Sequence, residues 1–240
     1  PEPGETIFTT SGIFTVPKGV KSIDVFCVGG GGQSIFMFGS GGGGYTNTIL
    51  NHPVEEGEQI SVTVGNGGVN GESQYYAGIY RSGGTSIVNN ILVSVGGYAP
   101  SLGTGGYAFG YYANGQYSFQ FYASGNGGNG GSGGGGYMPN ISSSDGGSGA
   151  TLFGGKDGGN GSSLSYGGTV NAIGGTGQGT TTRYFGESDG TLYSTGGTTC
   201  KGYGTSISGA ANTGDGASAG FANNPGVGGS GVAIIRWGKK

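Results

Sequence analysis

Between residues 58 and 64 (EQISVTV), isoleucine and valine at 60, 62 and 64 alternate with serine and threonine at 61 and 63. That period of two is the mark of a strand with one buried face. The run 22–28 (SIDVFCV) predicts a second strand, with Ile23, Val25 and Cys27 on one face. Residues 7–10 and 13–16 flank Ser11-Gly12, and residues 87–88 and 91–95 flank Asn89-Asn90; each set is expected to fold as a hairpin. After Val95 the pattern nearly stops until 231–237 (GVAIIRW), which is apolar at both sets of alternating positions. A strand apolar on both faces belongs inside a sheet, and the early strands, 23–28 above all, are its expected partners. The termini therefore close one domain over residues 1–240. A β framework of 1–95 and 231–240 surrounds a glycine-rich insertion at 96–230.

What lies between the strands changes the picture. The chain holds 65 glycines in 240 residues, against a typical share of about 7%. Disorder is the first reading of such a bias. Against it, aromatic residues make up 11% and charged residues only 9%, the reverse of a disordered composition. In 125–136 (GNGGNGGSGGGG) the non-glycine residues Asn126, Asn129 and Ser132 are spaced by three. Three residues per turn is the period of the polyproline II helix, which has no internal hydrogen bonds. Such helices can pack side by side and satisfy one another's amides and carbonyls, provided the inward faces carry glycine. The run would span roughly 37 Å at about 3.1 Å per residue. Shorter candidates are 29–32, 41–44, 146–149, 158–161, 174–179 and 228–231. The fold class expected is all-β with a non-regular glycine-rich region: a β-sandwich framework from the N-terminal strands plus the C-terminal strand, and packed polyglycine II helices in the insertion.

Aromatic residues interrupt the glycine. Ile35–Phe38 (IFMF) stands between two runs of four glycines. It reads as the tip between two antiparallel glycine helices, either packed on the scaffold edge or presented to a ligand. Within 107–124 (YAFGYYANGQYSFQFYAS), Asn114-Gly115 is the preferred two-residue hairpin turn. This aromatic hairpin is either a small core of its own or a binding element. The candidate ligand-binding residues are Phe36, Phe38, Tyr75, Tyr76, Tyr111, Tyr112, Tyr117, Tyr184, Phe185 and Tyr193.

Charge and chemistry narrow the function. Nine Lys and Arg are scattered thinly at a net charge of −3, which gives no stripe for tracking phosphates and argues against nucleic acid. No apolar run has the length of a membrane span. His52, the single histidine, is placed in a polar turn (NHPVEEGE) beside Glu55-Glu56. One histidine and two distant cysteines do not make a zinc site. Cys27 and Cys200 are read as two separate buried thiols in preference to a disulfide. Lys156 follows Gly155, but Asp157 stands where a phosphate loop needs Ser or Thr. No catalytic residues, metal or cofactor are assigned, and the expectation is a non-enzymatic protein.

Four stretches, in order, resemble a known family. They are 12–32 (GIFTVPKGVKSIDVFCVGGGG), 57–68 (GEQISVTVGNGG), 83–97 (GGTSIVNNILVSVGG) and 226–237 (GVGGSGVAIIRW). Together they are similar to the glycine-rich domains at the ends of bacteriophage tail fibres and related receptor-binding tail proteins. The resemblance implies a polyglycine II sandwich adhesin on a virion tail fibre or a cell surface. Its partners would be a bacterial surface receptor, glycan or outer protein, and the rest of a longer tail or surface protein. The alternatives are a structural capping or assembly domain and, less favoured by the aromatic loops, an ice-binding protein.

Overall fold

The computed structural model describes residues 1–34, 40–69, 82–99, 182–198, 206–219 and 225–238, and as backbone alone the strand residues 101–102, 108–113, 116–121 and 125–126. Two four-stranded antiparallel sheets form its base. Sheet I has the order β1 (Gly4–Phe8), β12 (Val232–Trp237), β3 (Ser22–Val28), β4 (Thr46–Pro53). Sheet II has the order β2 (Gly12–Thr15), β5 (Gln59–Thr63), β6 (Ser86–Val88), β7 (Leu92–Ser94). Short strands β8 (Ser101–Leu102) and β11 (Gly125–Asn126) pair separately, as do β9 (Ala108–Ala113) and β10 (Gln116–Phe121).

The C-terminal strand lies inside sheet I, as its two apolar faces predict. Ala233 stands opposite Cys27 and Ile235 opposite Val25, while Phe8 and Ile7 flank Ala233 and Ile234 on the other side. The two sheets face each other across one core. Ile23, Val25, Cys27, Ala233 and Ile235 of sheet I meet Phe14, Ile60, Val62, Val88 and Leu92 of sheet II. Burial pushes the Cys27 thiol up to about 12, so in the folded chain it acts as a small hydrophobe.

Two local expectations change. Residues 7–10 and 13–16 are not a hairpin: β1 pairs with β12 and β2 with β5, so Ser11-Gly12 carries the chain from one sheet to the other. Phe14 is buried between the sheets while Ile13 is 64% exposed, and the crossover is what turns β2 onto the opposing layer. His52 is not in a turn but in β4, opposite Ile23. A bulge between Ile23 and Val25 lengthens β4 there. Asn51 takes the extra turn at φ 55, and its N–H donates to Asp24 Oδ1 at 2.8 Å. The Asn89-Asn90 hairpin forms as expected, Ile87 opposite Val93, with Asn90 at φ 59.

Beyond the sandwich the strands continue as glycine segments. Segment 29–34 follows β3, 40–45 precedes β4, 65–69 follows β5, 82–85 precedes β6, 95–98 follows β7, and 225–231 precedes β12. They interlock by hydrogen bonds of period three, as a packed polyglycine helix requires. Gly29 and Gly32 donate to Tyr45 and Gly42, and Gly31 and Ser34 donate to Gly229 and Gly226. Gly30 donates to Gly84, while the carbonyls of Gly30, Gly31 and Gly32 accept from Gly97, Gly68 and Ala217. Segment 29–34 therefore bonds to six others. Those six close a ring around it through Gly42 to Tyr98, Gly83 to Gly97, Gly84 to Asn66, Gly228 to Gly68, Gly229 to Asp215 and Gly41 to Ala217. A Cβ on any of Gly29, Gly30, Gly31 or Gly32 would fall inside 3.0 Å of a neighbouring carbonyl oxygen. Glycine is required there by close approach.

The lattice thus draws on the strand-bearing region as well as on 194–198 and 206–219. Glycine helices are not confined to an insertion at 96–230. Of the candidates, 29–32, 41–44 and 228–231 are in the lattice; 146–149, 158–161, 174–179 and all of 125–136 beyond β11 lie outside the described residues.

Serine marks the transition between the two packings. Sandwiched sheets stand about 10 Å apart because side chains separate them. On the inner face of sheet II the series runs Val88 and Leu92, then Ser86 and Ser94, then glycine. Ser86 Oγ donates to Val28 C=O at 2.7 Å and accepts from Gly65 N–H at 2.9 Å; Ser94 Oγ donates to Cys27 C=O at 2.8 Å. The side chains taper and the layers close until backbone bonds directly to backbone.

Candidate functional site

The antiparallel order of the lattice gives it two ends. Segment 29–34 runs away from the sandwich and 40–45 runs back, since Gly29 bonds near Tyr45 and Gly32 near Gly42. Segment 65–69 likewise leaves and 82–85 returns. Segment 214–219 leaves, with Gly44 donating to Gly214 near the sandwich and Gly41 to Ala217 farther out. Segment 225–231 then returns into β12. The far ends are tied together: Ser34 Oγ accepts from Gly226 N–H at 2.7 Å, and Ser40 Oγ accepts from Ala219 N–H at 3.0 Å. Positions 35–39, 70–81 and 220–224 are each bounded on both sides by this distal end, and the chain also leaves it at Ala99.

Phe36 and Phe38 fall in 35–39 and Tyr75 and Tyr76 in 70–81, outside the described residues. Tyr111, Tyr112 and Tyr117 belong to β9 and β10, which pair antiparallel as expected; Asn114-Gly115 between them lies outside the described residues. Their register puts Tyr112 opposite Tyr117 and Tyr111 opposite Ser118.

The remaining three candidates are not at a tip. Residues 182–193 lie as a strap across the outer face of sheet I, closed by a bridge between Arg183 and Leu192. At the 3₁₀ turn Tyr184–Gly186, Phe185 takes φ 48 and is 4% exposed. It packs with Phe26, Val28, Val232 and Ile234, with Tyr184 and Tyr193 against the same cluster. Ring centroids from Phe26 are 5.7 Å to Phe185 and 5.1 Å to Tyr193. The physical reason is the second apolar face of β3 and β12, which needs a cover. Arg236 locks the strap down. Its guanidinium lies 3.8 Å from the Phe185 ring centre and pairs with Asp24 at 3.0 Å and Glu187 at 2.7 Å. Tyr184 Oη donates to Glu5.

Electrostatically the two ends differ. Among the described residues every charged side chain except Asp215 stands in the sandwich, its turns or the strap. Asp215 sits within the lattice, accepts from Thr195 N–H at 2.9 Å, and has its carboxyl pushed up by burial. Three exposed apolar residues sit at the distal level: Val69 at 44%, Tyr98 at 37% and Ile207 at 59%. Gly42 donates to the Tyr98 carbonyl, Ile207 and Ser218 bond each other both ways, and Val69 follows Gly68, which bonds Gly31 and Gly228. Sequence reasoning missed these three; for Val69 and Tyr98 the signal available was a large residue directly after two glycines, whereas Ile207 follows Thr205-Ser206 and carries no such signal. Among the described residues no group of three or more His, Cys, Asp or Glu could hold a metal ion.

Residues 8–238 match the family described as a glycine-rich domain. The chain belongs to that family. A search of curated proteins finds no match. The match takes in the sandwich strands from β2 onward, the lattice and the strap, and not the glycine tracts alone.

Proposed function

We propose that this glycine-rich domain is a receptor-binding module of a phage tail fibre or tail-like particle, which attaches to a bacterial surface through the segments at the distal end of its lattice. The observation that carries the reading is the convergence of chain ends there: the flanks of 35–39, 70–81 and 220–224 meet at one end of a scaffold held by backbone hydrogen bonds. A lattice whose inward faces are glycine has few side chains for chemistry, so variation and recognition are left to the connections. Two of these connections carry the sequences IFMF and YY. Aromatic side chains offer large contact areas at low rotamer cost. The order of the four resembling stretches supports the tail-fibre setting.

The test is binding of the labelled protein to a panel of bacterial cells. Phe36→Ser with Phe38→Ser, and separately Tyr75→Ser with Tyr76→Ser, are expected to keep the wild-type melting temperature. At least one pair should lose about tenfold or more in affinity, as hot-spot aromatics do. Folded variants that bind as well as wild type would place recognition elsewhere, and a wild type that binds no cells would overturn the reading.

A further inference from the structure

We infer that the partner met by the distal end is an uncharged glycan, recognised in part by a rim formed by Val69, Tyr98 and Ile207. The inference rests on the receptor-binding reading and names its ligand class. Three observations carry it. First, charge is segregated: apart from the mostly buried Asp215, the described lattice bears none, and the charged groups are at the opposite end. An anionic ligand would find no described cation at the rim to pair with. Ahead of β12, the chain outside the description adds Glu72, Asp145 and Asp157 against Arg81, Lys156 and Lys201, three of each sign; Lys239 and Lys240 follow β12. Second, the rim offers the faces a sugar ring uses. Tyr98 presents an aromatic ring with a hydroxyl, Val69 and Ile207 present aliphatic surface, and all three are exposed. Third, the end of the central segment is polar and neutral. Gln33 is 4% exposed with its Oε1 unpartnered, beside Ser34 and Ser40. Hydroxyl and amide groups with aromatic and aliphatic faces, and no net charge, suit a neutral polysaccharide.

The experiment uses the whole chain on immobilised glycans, one set uncharged and one set bearing uronate or sialate, and on cells that it binds. Retention on uncharged glycans should change less than twofold between about 0.05 and about 0.5 M salt, because no ion pair is there to be screened. Tyr98→Ala is expected to lower that retention at least tenfold. Ile207→Ser, at the most exposed of the three positions, should lower it at least threefold with an unchanged melting temperature. Periodate treatment of bound cells should abolish binding and protease treatment should not. Retention only on acidic glycans, full retention by folded Ile207→Ser, or binding that survives periodate and is lost to protease would each overturn the glycan inference. The last of these would leave the receptor-binding reading standing; failure to bind any cells or glycans would remove both.

Discussion

At the scale of single residues, adjacent positions in one lattice segment have opposite tolerances. Asn66 is exposed, and only its backbone is used, as acceptor from Gly84 N–H at 2.7 Å. Gly67 is different: a Cβ there would stand inside 3.0 Å of Gly228 O. The obstacle is backbone, which cannot rotate away as a side chain can. Gly67→Ala is therefore expected to cost at least about 3 kcal/mol, the upper range for overpacked sites. Asn66→Ala should stay within about 0.5 kcal/mol, as surface changes do. Urea midpoints of the two variants check the contrast, and equal small effects would mean that the segment is a solvated loop. The serines follow the same logic with the opposite solution. Ser34, Ser40, Ser86 and Ser94 are buried, and each hydroxyl bonds a backbone group of another segment. At these four positions serine supplies a hydrogen-bonding hydroxyl to the neighbouring backbone that alanine lacks.

At the scale of elements, the strap and β12 are interdependent. Val232, Ile234 and Arg236 face outward from the strand, and the strap supplies Phe185, Tyr184 and Tyr193 to cover them. Phe185→Ala should cost on the order of 3–5 kcal/mol, the range for emptying a buried aromatic site. Thermal melting reads it directly, and a folded, stable Phe185→Ala protein with reduced cell binding would return Phe185 to the list of ligand contacts. Strands were legible wherever a period of two or an apolar run was unbroken, as in 22–28, 59–63 and 232–237. The error at Ser11-Gly12 has a physical origin. A short polar pair between two apolar runs suits a tight hairpin and a crossover between layers equally well, and only the distant partners β5 and β12 decide. Tyr184, Phe185 and Tyr193 were misplaced for a related reason. Their setting looks like a polar loop, and the apolar face that claims them lies some 45 residues onward in β12 and far back in β3.

At the scale of the molecule, one architecture joins two packings. The sandwich holds its layers apart with valine, isoleucine and phenylalanine, and the lattice brings them to hydrogen-bonding distance by removing side chains. Glycine runs such as 29–32 and 41–44 made packed glycine segments legible in the sequence; the three-residue spacing in 125–136 falls, beyond β11, outside the described residues. The ring of six around 29–34 was not, because identical residues carry no information about which segment neighbours which. The distal end was legible only as isolated aromatic interruptions; their convergence depends on the antiparallel order of the segments. Native-state hydrogen exchange on the amides of Gly29, Gly30, Gly31 and Gly32 tests the lattice most directly, because these residues belong to no strand or helix yet donate to Tyr45, Gly84, Gly229 and Gly42. Bonded and shielded, they should exchange as slowly as the amides of Phe26 and Val28 in β3, through global unfolding alone. Exchange at the rate of an open loop, while β3 stays protected, would contradict the lattice and the presentation of binding segments that depends on it.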